Sequence, residues 1–132
     1  MKISLLMDSN QCKNPSCAKQ AETLLMLLGS AVGDGGRIEV KKYCPSGGFA
    51  SALHAKSWFL DDSVYLGGSY NFTTNAEKNN EEHLVMIKDD KVNGVFSGWF
   101  DGLWSSSKTI KVEASELLQV KLLRESRSRS RK

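Results

Sequence analysis

No run of eighteen apolar residues occurs in this 132-residue chain, so the sequence offers no membrane-spanning helix. Met1 leads straight into an apolar, strand-like stretch. It has neither the basic region nor the cleavage site of a signal peptide. Cysteine is scarce. Cys12, Cys17 and Cys44 are an odd number, which speaks against a disulfide framework and for a reducing intracellular compartment. A zinc set built on Cys12 and Cys17 with Cys44 or His54 lacks a fourth ligand, and C-x4-C is wider than the usual spacing. The thiols read instead as loop and strand-end residues. Net charge is also short in the body of the chain. Of the total of +3, the last nine residues, Arg124 to Lys132, carry +4, and the rest sums to −1. The basic character is therefore a tail.

What remains fits one domain with enough apolar residues, 40%, to bury a core. Lys2 to Met7 reads as a buried strand ended by Asp8-Ser9-Asn10. Asn14-Pro15 is a helix start, with Ala18, Ala21, Leu24, Leu25 and Leu28 on one face and Gly29 as the stop. Gly33 to Gly36 lacks the Lys-Ser/Thr pair and following helix of a phosphate loop, and reads as a connection. Arg37 to Tyr43 alternates as a strand with Ile38 and Val40 inward, and Cys44 to Ser51 is a loop. Thr73 to Asn79 is a short helix or turn, and His83 to Ile87 another strand with His83 at its edge. Val92, Val95, Phe96, Trp99, Phe100 and Leu103 follow helical spacing. Gly94, Gly98 and Gly102 run beside them as a smooth stripe, suited to close packing on a sheet or partner. Ser115 to Leu123 is a final helix, bounded as residues 113–123. The Arg-Ser tail, 124–132, has the composition of a disordered segment suited to nucleic acid or acidic protein.

The densest stretch is His54 to Asn71, HAKSWFLDDSVYLGGSYN. It reads as a hairpin. His54, Lys56 and Trp58 share one strand face, Asp61-Asp62-Ser63 turns, and Val64 to Leu66 returns. Gly67 and Gly68 allow a close backbone approach. An imidazole and an ammonium thus lie side by side, with Ser69 and Asn71 just beyond, as an anion site would need. An isolated H-x-K would be no more than an amphipathic hairpin with a stray histidine. Six identities at fixed offsets, H-x-K, D and G-S-x-N, are far more specific.

That pattern resembles the HKD motif of the phospholipase D superfamily. The resemblance continues through N-F-T-T-N-A-E-K-N-N-E-E to Trp104, covering roughly Met1 to Ser105. The single-motif group is most similar: bacterial secreted nucleases and the mitochondrial Zucchini or cardiolipin-hydrolase type. The resemblance implies an α/β fold over residues 1–112, a mixed sheet flanked by helices. It also implies that the usual first strand-helix-strand-helix is absent here. Location would be cytoplasmic or at a mitochondrial surface. The implied activity is cofactor-free hydrolysis of a phosphodiester. Its substrate would be single-stranded RNA or DNA, as for an endonuclease, or alternatively a phospholipid such as cardiolipin.

The residue roles follow the same resemblance. His54 is the nucleophile, giving a phosphohistidine, and Lys56 a charge on the phosphate. Asn71 is a further catalytic group, and Asp61, at the turn, an orienting one. Glu82 orients an imidazole. Ser69, Gly68 and Asn80 contact substrate. One motif supplies one histidine, where nucleophile and proton donor need two. A homodimer sharing one site on its two-fold axis is therefore implied. A third reading is an inactive truncated relative that binds nucleic acid or protein through its tail.

Overall fold

The computed structural model describes residues 2–12, 21–26, 38–46, 53–71 and 78–130. Expectations for Asn14-Pro15, Cys17, Leu28, Gly29, Gly33 to Gly36 and residues 72–77 lie outside these residues. The architecture is α/β. Among the described residues six strands follow in order: β1 (Ile3–Asp8), β2 (Ile38–Tyr43), β3 (Ser57–Leu60), β4 (Val64–Gly68), β5 (Leu84–Lys88) and β6 (Thr109–Lys111). A 3-10 turn, Ser9–Cys12, follows β1. The helices are α1, described over residues 21–26, α2 (Asp90–Trp104) and α3 (Ala114–Arg129). Among the described residues no helix is long and apolar enough to cross a membrane. The chain divides into two compact units, Met1–Leu53 with Trp104–Lys132, and His54–Leu103.

The first unit holds a mixed sheet in the order β1-β2-β6. β1 and β2 are parallel from Ile3↔Ile38 to Asp8↔Tyr43, and β6 is antiparallel to β2. A parallel pair needs a long crossover, and α1 lies within it. Met7, Ala21, Leu24, Val40, Val112, Leu117 and Val120 form the core, with Leu5, Leu25 and Ile38 packed against it. The helical face read from Ala21, Leu24 and Leu25 is thus the buried one. Strand alternation puts Lys42 inward with Ile38 and Val40, and Lys42 is only 4% exposed. Its ammonium is paired there with the Glu116 carboxylate of α3.

α3 corrects the reading of the tail. It runs on to Arg129, six residues past Leu123, so 124–129 is helical rather than disordered. Composition misled here because low hydrophobicity removes burial, not helix propensity. Arg and Glu are good helix formers, and Arg127 and Arg129 suit the negative end of the helix dipole. Ser126 Oγ donates to Leu123 O at 2.9 Å and Ser130 Oγ to Arg127 O at 3.2 Å, so the serines turn their hydroxyls onto the helix itself.

The second unit is an antiparallel sheet, β3-β4-β5, with α2. Pairing runs Ser57↔Gly67 to Leu60↔Val64, and Val64↔Lys88 to Gly68↔Leu84. Asp61, in the hairpin turn, has φ 52°, a left-handed conformation that aspartate tolerates. Asp89 caps α2, its Oδ1 accepting from Lys91 N and Val92 N at 2.9 Å each. Asp89 N in turn donates to Ser63 O, tying the helix start to the hairpin turn. Phe96 stacks on Tyr65 with centroids 4.2 Å apart, and Phe100 packs on Phe59 at 5.6 Å.

The helix was legible, but its packing face is rotated from the expected one. Asn93 is buried, whereas Val95 is 73% and Trp99 46% exposed. A Cβ at Gly94, Gly98 or Gly102 would meet nothing within 4 Å. The glycine stripe therefore marks no close approach to the described sheet. The contacts follow the Phe96 and Phe100 rings instead.

Candidate active site

Three chain segments bring the motif to one end of the second sheet. His54 and Lys56 lead into β3, Gly68 and Ser69 end β4, and Glu82 and His83 lead into β5. The ladder extends across this end. Gly68 N donates to Lys56 O at 3.3 Å, and Ser69 N donates to His83 O at 3.2 Å. A Cβ on Gly68 would collide with the His83 carbonyl oxygen, a backbone atom that cannot step aside. At Gly67 the space is taken by the Tyr65 hydroxyl, which lies 3.3 Å from Ser57 Oγ. The first glycine accommodates a side chain; the second brings two backbones together.

The alternation that places His54 and Lys56 on one face brings their side chains into contact. Lys56 Nζ lies 2.7 Å from Nδ1 and 3.0 Å from Nε2 of His54, and donates to His54 O at 2.6 Å. His54 is exposed and Lys56 half-buried. Partial burial pulls the Lys56 ammonium below its ordinary value, and the Glu82 charge opposes that shift. Glu82 is held in turn. Its Oε2 accepts from Ser69 Oγ at 2.5 Å and its Oε1 from Asn80 Nδ2 at 2.9 Å. These two bonds, Ser69 first, hold its carboxyl below the usual range against some desolvation. The charges of His83 and Lys56 add to them. Ser69 Oγ also accepts from His83 N at 3.2 Å.

The predicted residues do not all meet. His54, Lys56, Gly68, Ser69, Asn80 and Glu82 gather at this end of the sheet. Asp61 sits beyond β3 at the opposite end, and that strand alone spans about 10 Å. Asn71 is exposed just past Ser69, with no hydrogen bond to the described residues. Glu82 accepts from Ser69 and Asn80, while the His54 ring lies against Lys56. Gly68 is a spacer between strands. Sequence reasoning missed the backbone of His83, whose N–H and carbonyl both bind Ser69. That role depends on the β4–β5 register, which no local pattern encodes. Among the described residues, no group of three or more His, Cys, Asp or Glu gathers as a metal would require.

Such a site suits an anion. An exposed imidazole can attack or give a proton, an ammonium beside it can neutralise a phosphoryl oxygen, and a fixed carboxylate compensates the charge. Comparison with known proteins gives the family of the chain. The family model described as cardiolipin synthase, PLD-like domain, matches residues 1–104. The mitochondrial cardiolipin hydrolase of Chlamydomonas reinhardtii is 34% identical over 59 residues, 45% of this chain and 26% of the relative. That of Homo sapiens is 32% identical over 59 residues, 45% and 23%. The chain thus spans about a quarter of the length of these curated relatives. Among solved structures, the phospholipase D family member Nuc from Salmonella typhimurium aligns with a TM-score of 0.50 at 18% identity. It covers 85% of this chain and 80% of that one, and this likeness concerns the fold.

Proposed function

Because the chain belongs to the phospholipase D-like family, we propose that it is a phosphodiesterase working through His54 without a metal, and that it cleaves nucleic acid. The observation that carries this reading is the contact between Lys56 and His54, with Nζ 2.7 Å from Nδ1. In the proposed reaction a ring nitrogen of His54 attacks phosphorus as the P–O bond to the leaving group breaks. His54 of the partner subunit protonates the leaving oxygen. Water then attacks the phosphohistidine, the P–N bond breaks, and the same partner imidazole takes the proton from water. Lys56 holds the non-bridging oxygens throughout, with Asn71 free to add a hydrogen bond. The homodimer is part of the proposal, because one chain offers one H-x-K. The basic residues of α3 favour a polyanionic substrate.

A second reading, a phospholipid phosphodiester as substrate, is favoured by one observation. The curated relatives are named mitochondrial cardiolipin hydrolases. That reading carries a mitochondrial location with it.

The test is rapid denaturation in SDS at mildly alkaline pH, where a phosphohistidine survives, of the protein mixed with end-labelled single-stranded RNA, single-stranded DNA or labelled cardiolipin vesicles, in EDTA. Label retained on His54 with RNA or DNA supports the first reading, and with cardiolipin the second. No label with any of them, or a folded His54→Asn variant as active as the parent, rejects the hydrolase. Light scattering of the native protein before denaturation tests the dimer.

A further inference from the structure

One buried carboxylate outside the motif binds the residue that precedes the motif in the chain. Asp8 closes β1 and is 6% exposed. Its Oδ1 accepts from Asn10 N at 2.8 Å, a local turn bond of the kind that ends a strand. Its Oδ2 accepts from Leu53 N at 2.7 Å, across a separation of 45 residues. Leu53 is the last residue of the first unit, and His54 follows it directly. A carboxylate is costly to bury unless its oxygens are satisfied. Here two backbone N–H groups satisfy it, through bonds roughly twice as strong as neutral ones. The anchor is also rigid, since β1 pairs with β2 along its whole length, Asp8 included.

We propose that Asp8 is a positioning residue for His54. It fastens the chain one peptide before the imidazole and so fixes where the H-x-K segment begins. Turn formation alone requires only the bond to Asn10; the bond to Leu53 has no part in that turn. The inference deepens the reading of His54 as nucleophile and rests on it. A displacement of about 1 Å at a reacting group can lower a rate on the order of 100-fold. Loss of the anchor is therefore read in turnover.

The experiment breaks the bond from each end in the full chain. Asp8→Asn keeps one acceptor and turns an NH2 group toward the other amide. Leu53→Pro removes the donor and leaves the Asp8–Asn10 turn. With bis(p-nitrophenyl) phosphate in EDTA, below each variant's unfolding temperature, each single change is expected to lower kcat about 10- to 100-fold. KM stays within about two-fold, and the double variant is no worse than the poorer single one. Should Asp8→Asn not fold, Leu53→Pro alone carries the comparison. Full kcat in a folded single variant overturns the proposal, and so do losses that multiply in the double variant.

A readout independent of turnover separates this inference from the one beneath it. Amide exchange at Leu53 and the His54 ring resonances are followed as inorganic phosphate is added. Loss of Leu53 protection and an altered His54 response in Asp8→Asn, in a parent that turns nothing over, would reject the hydrolase and keep the anchor. An active parent with unchanged Leu53 protection in Asp8→Asn would reject the anchor alone.

Discussion

The Lys56 ammonium sits within hydrogen-bonding distance of both ring nitrogens of His54, 2.7 Å from Nδ1 and 3.0 Å from Nε2. The two side chains share one small volume. A phosphoryl group that binds between them would replace this contact with its own oxygens. Lys56→Ala is expected to lower kcat/KM about 100- to 1,000-fold, the cost of removing a charge-stabilising donor. The measurement is a steady-state assay with RNA and with bis(p-nitrophenyl) phosphate, alongside His54→Asn as the blank.

The same lysine predicts a pH limit. Burial lowers its folded pKa, so between that value and the ordinary 10.5 the folded chain binds fewer protons than the unfolded one. In that window stability rises with pH while the catalytic charge disappears. The alkaline limb of kcat/KM is therefore expected below pH 10.5, and Lys56→Arg, whose charge persists, moves it upward. A limb that stays put in Lys56→Arg would assign it to another group.

Glu82 gives the opposite sign. Its folded pKa lies below the ordinary 4.5, so its contribution is present above the unfolded value and is lost as pH falls through the folded one. Melting temperatures of the parent and Glu82→Gln are expected to converge as pH drops from 6 to 3. The effect is small, because the carboxylate is in contact with solvent. Ser69→Ala, which removes the first of its two hydrogen bonds, moves the convergence upward.

Glycines in the same unit should respond in opposite directions. Gly68→Ala forces a methyl group onto the His83 carbonyl and is expected to cost about 1–3 kcal/mol. Gly94→Ala, inside α2 with open space beside it, is expected to add about 0.5–1 kcal/mol. Urea unfolding of the two variants checks both signs.

Glu116→Gln leaves the Lys42 ammonium buried without its anion. The expected loss is about 3 kcal/mol, whereas Lys42→Met removes the more deeply buried charge and leaves Glu116, with its side chain 30% exposed, to solvent, so its loss is expected to be smaller. Equal losses in the two variants would show that the pair, rather than its desolvation, dominates.

Much of this arrangement was readable from residues alone. The hairpin from His54 to Gly68 follows from alternation, from Asp61-Asp62-Ser63 as the turn, and from the paired glycines. The buried face of α1 follows from Ala21, Leu24 and Leu25. What was not readable depends on partners distant in sequence. Lys42 alternates inward whether or not an acid awaits it, and nothing near it names Glu116. The Asp8-Ser9-Asn10 cluster announces a turn, while its bond to Leu53 depends on how the chain returns. The grip of Ser69 and Asn80 on Glu82 is set by β4–β5 pairing. The packing side of α2 was misjudged because apolar periodicity fixes a stripe on the helix, not which edge of it meets the Phe59 and Tyr65 rings.

Because α3 carries the Arg-Ser segment as a rod, its cations have fixed compass bearings. Arg124 and Arg127, three residues apart, project to one side with Cβ atoms about 5–6 Å apart, and Arg129 points well away from both. A flat polyanion laid against this rod meets two guanidinium groups at a time, where a loose tether would have wrapped all three around it.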